Sequence, residues 1–599
     1  MTEAPSTSLD DIVGGWLGAF EQSLSSRNFN AAAELFRSDG YWRDLLALTW
    51  RLQTFRGPEA IGAGLRAAPA AGGLHKLRLE GAAQPGQLGQ FGETIDALFT
   101  FETADALGCG VVHLTPSDQN GQRQYKALAA LTSLSTLKAF PAKIGPHRER
   151  SYMRATQNGS KNWLDKRIEA ARFEDRDPQV LVVGAGQAGL IVATELGQLG
   201  VDTLVIDREH RIGDSWRKRY HSLKLHNEAA MNHLPYMPFP PTWPVYIPKD
   251  KLANWLEFYA DAMELNVWTE TTLVSASYDA ASERWTVLLK REDGGERIMH
   301  PRHVVMATGI SGVPNIPAIS GANTFPGPIY HSTGQNDDLD LAAKSVLVIG
   351  TGTSAHDIAQ DLCLQGAEVT MLQRSSTTVV SVEPSAAMMS RLYSANEGIR
   401  PIGELDLINA SVPYDLLRQL SGPLSRQMAD ADRDLLDGLR KAGFALDNGE
   451  DDTGFFMKIL RYHSGYYLNV GASELIIEGR IKVRSGVGLE KLDGKCAVFT
   501  DGSRLPVDAV VLATGYRPQQ EAVRRMFGDA IADLVGPVWG LGEDGELRNM
   551  FGPTRQEGFY IVGGPMVLTR SYSRYTALSI KAELEGLSAR RPPDRLAAE

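Results

Sequence analysis

The stretch "VLVVGAGQAGLIVATEL", Val180 to Leu196, decides the fold. A run of apolar residues long enough for a buried strand meets glycines at 184, 186 and 189 and passes into a helical pattern that opens at Gln187. Gly184 permits a tight turn, Gly186 lets backbone approach a pyrophosphate, and Gly189 lets helix pack on strand. The helix start adds partial positive charge at the same spot. The next apolar strand, "TLVID", ends in Asp207, about 20 residues on, where a carboxylate can accept both hydroxyls of a ribose. A chance glycine turn is the plain alternative, and the strand–turn–helix–acid order speaks against it.

The arrangement returns at "VLVIGTGTSAHDIAQDL", Val346 to Leu362, with Gly350, Gly352 and Ala355 in the three places and Thr353 and Ser354 opening the helix. Its following strand, "EVTMLQRSS", ends without an acid, and Arg374 and Ser375 stand near the place that Asp207 holds in the first unit. A guanidinium forks onto a phosphate that an acid would repel, so this site reads as one for a 2′-phosphate. The alternative is a solvated charge at a strand end. Two loops of different character predict FAD held at the first and NADPH admitted at the second, with NADH use also admitted.

The 599 residues allow three or four domain-sized units. A net charge of −11, from 72 acids against 61 bases, has no electrostatic footprint for nucleic acid or anionic lipid. Cys109, Cys363 and Cys496 are far apart and form no CxxC, which argues against a disulfide framework or a zinc site and fits a reducing compartment. No metal is expected. The N-terminus lacks a basic and apolar signal pattern, and the most apolar window carries Gln187, Glu195 and Gln198, so neither a secretory signal nor a membrane span is expected. The chain reads as cytoplasmic.

Outward from the two loops, apolar strands alternating with helices predict parallel βαβ units. Residues 178–310 read as the first part of an FAD-binding domain, 311–509 as an NADP-binding domain and 510–599 as the second part of the FAD domain. From about 384 to 467 the strands stop, and charged helical sequence reads as an insertion or lid. Residues 1–140 alternate helical and strand patterns of their own, and 141–177 form a polar linker whose end, "NWLDKRIEAARFEDRDP", is expected to be helical.

Further motifs carry a resemblance. "FPGPIYH" matches the start of the FxGxxxH fingerprint of the flavin-containing and Baeyer–Villiger monooxygenases through Phe325, Gly327 and His331, with Gln335 where the fingerprint has an aromatic. "GDSWRKRY" resembles the family's second FAD segment through Gly213 and Trp216. Ala307-Thr308-Gly309 and Ala513-Thr514-Gly515 resemble its two ATG linkers, and "YYLNVGASELIIEGRIKV" is similar to a segment of the YUCCA branch. The resemblance spans roughly residues 160 to 585. It implies an α/β fold of two Rossmann-like domains for FAD and NADP.

The implied chemistry is reduction of FAD by NADPH, capture of O₂ as a C4a-(hydro)peroxyflavin, and transfer of one oxygen atom to a small organic substrate. That covers amine and sulfide oxygenation, as in N,N-dimethylaniline monooxygenases, and Baeyer–Villiger oxidation of ketones. Asn227, in "HSLKLHN", matches a flavin-side asparagine of many members; a turn asparagine is the alternative. His331 is the other catalytic candidate, as a positioning group rather than a general base. The C-terminal "GGPMVLTRSYSRYTALSIKAELEGL" offers a helix whose N-terminus can stabilise reduced-flavin charge.

"AAAELFRSDGYWRDLLALTW" resembles the SnoaL/NTF2-like α+β cone, whose members form apolar pockets. Asp44 is a candidate base there, with a structural role as the more common alternative. Small-molecule substrate and O₂ are the expected partners, and a homodimer is admitted. A disulfide reductase shares the two-loop plan but lacks the cysteine pair. An NADPH oxidase-like or non-oxygenating flavoprotein, including a sensor, is the competing reading.

Overall fold

The computed structural model describes residues 8–119, 122–150, 161–334 and 339–587. Gln335, the departure in the fingerprint, lies outside the described residues.

The run "VLVV" becomes a fully buried strand, Val180–Val183, because parallel strands are covered on both faces and need no polar side. It is the centre of a five-stranded parallel sheet ordered Phe559–Ile561, His303–Met306, Val180–Val183, Thr203–Ile206 and Asn266–Trp268. The outer strand thus comes from the far C-terminal part of the chain. A second parallel sheet is ordered Ile329–His331, Ala509–Leu512, Ser345–Ile349, Glu368–Gln373 and Ile481–Ser485. Each unit also carries a three-stranded antiparallel sheet, Thr271–Asp279 to Glu296–Met299 in the first and Leu489–Asp493 to Arg504–Pro506 in the second. The repeat seen in the glycine loops therefore extends to whole units.

The break expected at 509/510 is corrected. It falls inside the strand Ala509–Leu512, which pairs with Ser345–Ile349 and Ile329–His331 and belongs to the second unit. The chain leaves that unit only afterwards, through Thr514 and Gly515.

Short parallel strands Thr378–Ser381 and Tyr466–Asn469 pair with each other and bracket the inserted helices. These include Ile402–Ala410 and Tyr414–Ala431. The N-terminal region is a six-stranded sheet, antiparallel except where Phe36–Leu45 runs parallel to Gln122–Leu137, with the helices Leu9–Ser25, Phe29–Glu34 and Gly57–Ala67. Aromatic side chains pack in its interior. Trp16 stacks on Phe20 at 5.1 Å, Trp42 stacks on Phe55 at 4.8 Å, and Trp42 is fully buried.

This module is bound to the rest by buried polar contacts. Arg43, 1 % exposed, donates Nε and Nη2 to the two carboxylate oxygens of Glu546 at 2.8 and 2.5 Å, and Nη1 to the Ala410 carbonyl at 2.7 Å. Its guanidinium lies over the rings of Tyr414 and Tyr572. A buried arginine survives only when its donors and charge are both answered. Here three separate segments answer them.

Candidate functional site

The first glycine turn has the geometry its residues call for. Gly184 sits at φ +110°, and a β-carbon there would lie 2.6 Å from the Ala307 carbonyl oxygen, which belongs to the first ATG linker. A β-carbon on Gly189 would collide with the Gly184 carbonyl, so the helix Gln187–Gln198 packs directly on the turn. Gly186 differs: a β-carbon there would meet nothing within 4 Å. The protein itself imposes no size limit at that position, which is what backbone open to a bound pyrophosphate looks like. No side chain caps this helix, so its first N–H groups remain available to an anion.

Asp207 follows the strand Thr203–Ile206 and accepts hydrogen bonds from the Ala185 and Glu209 N–H groups at 2.5 and 2.9 Å. It therefore braces the glycine turn. Burial pushes its carboxyl up, partly offset by those two bonds. Gly213, at φ +90°, has the Ala253 backbone where a side chain would go. Trp216 Nε1 donates to Gln187 Oε1 at 3.2 Å, joining two of the expected cofactor residues. The helix Met566–Leu584 begins beside this site, since Gly563 stands against Gly309 of the first linker.

The second turn repeats the pattern. Gly350 has φ +122° with the Ala513 backbone behind it, and the helix Thr353–Leu364 opens at Gly352 with no side-chain cap. Thr353 Oγ1 donates to the Tyr466 carbonyl at 3.2 Å, and Ser354 is half-buried beside it. Arg374 and Ser375 are exposed at the end of the strand Glu368–Gln373, and Arg374 has no hydrogen bond or ion pair with the described residues. The neighbouring Gln373 is fully buried and ties that strand end to Ala445 and Ser485, leaving Arg374 projecting from a fixed base.

His331 is committed to protein contacts. Its Nε2 faces the Gly515 carbonyl at 3.0 Å, which can only accept, so Nε2 carries the proton and Nδ1 accepts from Thr333 Oγ1 at 3.0 Å. Burial lowers its pKa and keeps it neutral. His331 thus has a positioning place: it pins the second ATG linker, which Thr514 also holds through a 2.5 Å bond to the Asn315 carbonyl. Asn227 is half-buried, its carbonyl accepts from Asn232 Nδ2 at 3.2 Å, and no described residue hydrogen-bonds its side-chain amide.

Asp44 takes the structural role, the more common alternative. It is fully buried and accepts from Thr132 Oγ1 at 2.6 Å, Thr49 Oγ1 at 2.6 Å, and the Thr49 and Leu48 N–H groups. Burial holds its pKa up to about 6, and both carboxylate oxygens are engaged by these donors. It shapes a turn.

Sequence reasoning missed the residues that join the two units. Asp357, 5 % exposed on the second dinucleotide helix, accepts from the Tyr220 hydroxyl and lies 3.4 Å from His226 Nε2. His226 is the neighbour of Asn227. An acid one turn inside the second dinucleotide helix, with Asp361 one turn further on, was the available signal.

Residues 181–400 match the family model for pyridine nucleotide-disulphide oxidoreductases. The chain is 31% identical over 341 residues to a probable indole-3-pyruvate monooxygenase, YUCCA4, of Arabidopsis thaliana, covering 57% of this chain and 76% of that protein. The chain belongs to the flavin monooxygenase superfamily.

A second relative, the probable indole-3-pyruvate monooxygenase YUCCA10 of the same plant, is 29% identical over 56% of this chain and 81% of its own length. Among solved structures, cyclohexanone monooxygenase bound to epsilon-caprolactone shares the fold with a TM-score of 0.51 at 18% identity, covering 68% of this chain and 88% of that one. OTEMO in complex with FAD and NADP does so with a TM-score of 0.50 at 16% identity, over 69% and 86% of the two chains. As a flavin monooxygenase the protein uses FAD and NADPH to insert one oxygen atom of O₂ into a small molecule. The two uncapped helix starts fit two dinucleotides, and all three cysteines are free. Among the described residues no helix is long and apolar enough to cross a membrane.

Proposed function

We propose that this flavin monooxygenase holds FAD on Gly184–Gly189, Asp207 and Trp216, takes NADPH on Gly350–Ser354 and Arg374, and oxygenates a small carbonyl compound beside Asn227. The observation that carries the reading is the contrast between the two strand ends. One presents a half-buried carboxylate tied into its glycine turn, the other an exposed guanidinium, unpaired among the described residues, on a rigid base. The first suits ribose hydroxyls and the second suits a ribose phosphate.

FAD, when bound, supplies the redox and oxygen chemistry. The chain's part is to orient the nucleotides, keep water away and offer Asn227, whose amide donates and accepts without titrating. Thr514, Gly515 and His331 hold the linker between the two sites. The balance is substrate, O₂, NADPH and a proton giving oxygenated substrate, NADP⁺ and water. The YUCCA relatives are named for indole-3-pyruvate, a 2-oxo acid, which supports testing ketones and 2-oxo acids first, with sulfides and amines alongside.

The N-terminal module is read as an NTF2-like accessory without turnover of its own, because both carboxylate oxygens of Asp44 are engaged and aromatic side chains pack in the interior. The test is turnover of a ketone, 2-oxo acid and sulfide panel under heavy-oxygen O₂. One labelled atom in product, with NADPH consumed in step, supports the reading. Quantitative hydrogen peroxide with no labelled product from any class would establish the non-oxygenating alternative.

A further inference from the structure

Arg570 lies in the second turn of the C-terminal helix Met566–Leu584 and is 4 % exposed. Its Nε and Nη2 donate to the two carboxylate oxygens of Asp406 at 2.9 and 2.7 Å, and Tyr393 OH donates to the same carboxylate at 3.0 Å. Its remaining nitrogen, Nη1, donates to the carbonyls of Met231 and His233 at 2.8 and 2.9 Å. Between those carbonyls stands Asn232, 1 % exposed, whose side-chain amide donates to the carbonyls of Asn227 and Glu228 at 3.2 and 3.1 Å. One planar fork therefore joins three segments: the helix that begins at the flavin side, the inserted helix Ile402–Ala410, and the loop that ends on Asn227.

The inserted helix is gripped at its other end by the N-terminal module. Arg43 donates to the Ala410 carbonyl at 2.7 Å. His113, held by Asp96 at 2.8 Å, meets Ser411 Oγ at 2.7 Å, and Tyr41 OH donates to Asp415 at 2.6 Å. The contacts to Ala410 and Ser411 act at one end of the nine-residue helix that carries Asp406, so they and the Arg570 fork are in series, whereas Tyr41 holds the next helix and Ser133 and Ser135 touch the C-terminal helix directly at Tyr575 and Arg574.

We propose that Arg570 is a positioning residue that fixes Asn227 through the Met231–His233 loop, and that the N-terminal module braces it through the helix carrying Asp406. The proposal rests on the reading of Asn227 given above. It gives the N-terminal module a function in oxygen transfer that needs no site of its own. Arginine is required because lysine can reach the carboxylate or the two carbonyls but cannot span both in one plane.

The experiment measures the fraction of oxidised NADPH that ends as hydrogen peroxide, with FAD content and anaerobic reduction by NADPH as parallel readouts. Arg570→Lys is expected to retain FAD and reduction while the peroxide fraction rises several-fold; a general folding defect would instead lower all three together. Ser411→Ala, which removes the hydroxyl that meets His113 Nε2, should raise the fraction less. The Arg570→Lys/Ser411→Ala double variant should be no worse than Arg570→Lys alone, because contacts in series are not additive. Should Arg570→Lys lose FAD, Asp406→Asn, which keeps shape and acceptor, is the variant read. An unchanged peroxide fraction in the variant read, alongside a raised one in Asn227→Leu, overturns the role of Arg570. Additive effects of the two substitutions overturn the brace. An unchanged fraction in Asn227→Leu itself is the separate failure of the earlier reading, and the route through Asn227 falls with it.

Discussion

A single side chain separates the two nucleotide sites chemically. Asp207 is drawn into its own glycine turn by the Ala185 N–H, whereas Arg374 projects free of the described residues. Arg374→Ala should raise the KM for NADPH about thirtyfold, the equivalent of about 2 kcal/mol for a charge-assisted pair, and leave that for NADH nearly unchanged. Equal weakening of both coenzymes in steady-state kinetics would show that Arg374 does not read the phosphate. At Asn227 the expected outcome of Asn227→Leu is retained FAD and retained reduction, with more peroxide and less product. A half-buried amide with no hydrogen-bond partner among the described residues contributes nothing there that leucine would forfeit.

At the scale of an element, the helix Thr353–Leu364 carries a pH response. His356 is fully buried, its ring lies flat on Tyr467 at 3.9 Å, and its Nδ1 donates to the Gly352 carbonyl at 3.1 Å. Burial depresses its pKa to about 4. The unfolded chain, with a pKa of about 6.5, binds a proton first, so the stability is present above that value and is lost as pH falls toward the folded pKa. The loss reaches about 2 kcal/mol at pH 5. His463, also lowered to about 4, acts in the same sense, and Asp44, raised to about 6, acts in the opposite one. Comparison with His356→Phe isolates the term: the melting temperature of the wild type should fall more between pH 7 and pH 5 than that of the variant. Parallel falls would mean the ring is protonated in the folded state.

Across the whole molecule, the Arg43–Glu546 pair locks the N-terminal module to the nucleotide-binding body, and both side chains are nearly fully buried, at 1% and 5% exposure. Arg43→Met would leave a buried carboxylate unpaired, at a cost of about 3–5 kcal/mol. Adding Glu546→Gln should recover part of that in a thermal melt, and no recovery would mean that the pair's charge is not what holds the seam. Deleting residues 1–140 exposes the same carboxylate together with the apolar surface around Tyr414 and Tyr572, so the truncated protein should be less soluble and lose FAD more readily on gel filtration. A truncated protein with wild-type FAD content and coupling would count against any brace.

Much of this protein was legible in the chain, because dinucleotide binding by glycine turns is local. Gly184, Gly186 and Gly189 lie within one turn of chain, and what each must do follows from its own φ and its nearest neighbours. The family and its cofactors were readable for the same reason. Long-range partners decided the remainder. Pairing alone assigned Ala509–Leu512 to the second sheet, and the Gly515 carbonyl together with Thr333 showed that both ring nitrogens of His331 are engaged. Thr132, remote in sequence, decided between the two readings of Asp44 in favour of the structural one. Arg570, Asp406 and Asn232 carry no motif, since each acts through carbonyls and carboxylates that only the folded chain brings within hydrogen-bonding distance. Sequence by itself determined which nucleotides bind and where the turns lie. Tertiary structure decided which polar side chains are free to act, because a buried donor or acceptor is committed by its neighbours in space rather than by its neighbours in the chain.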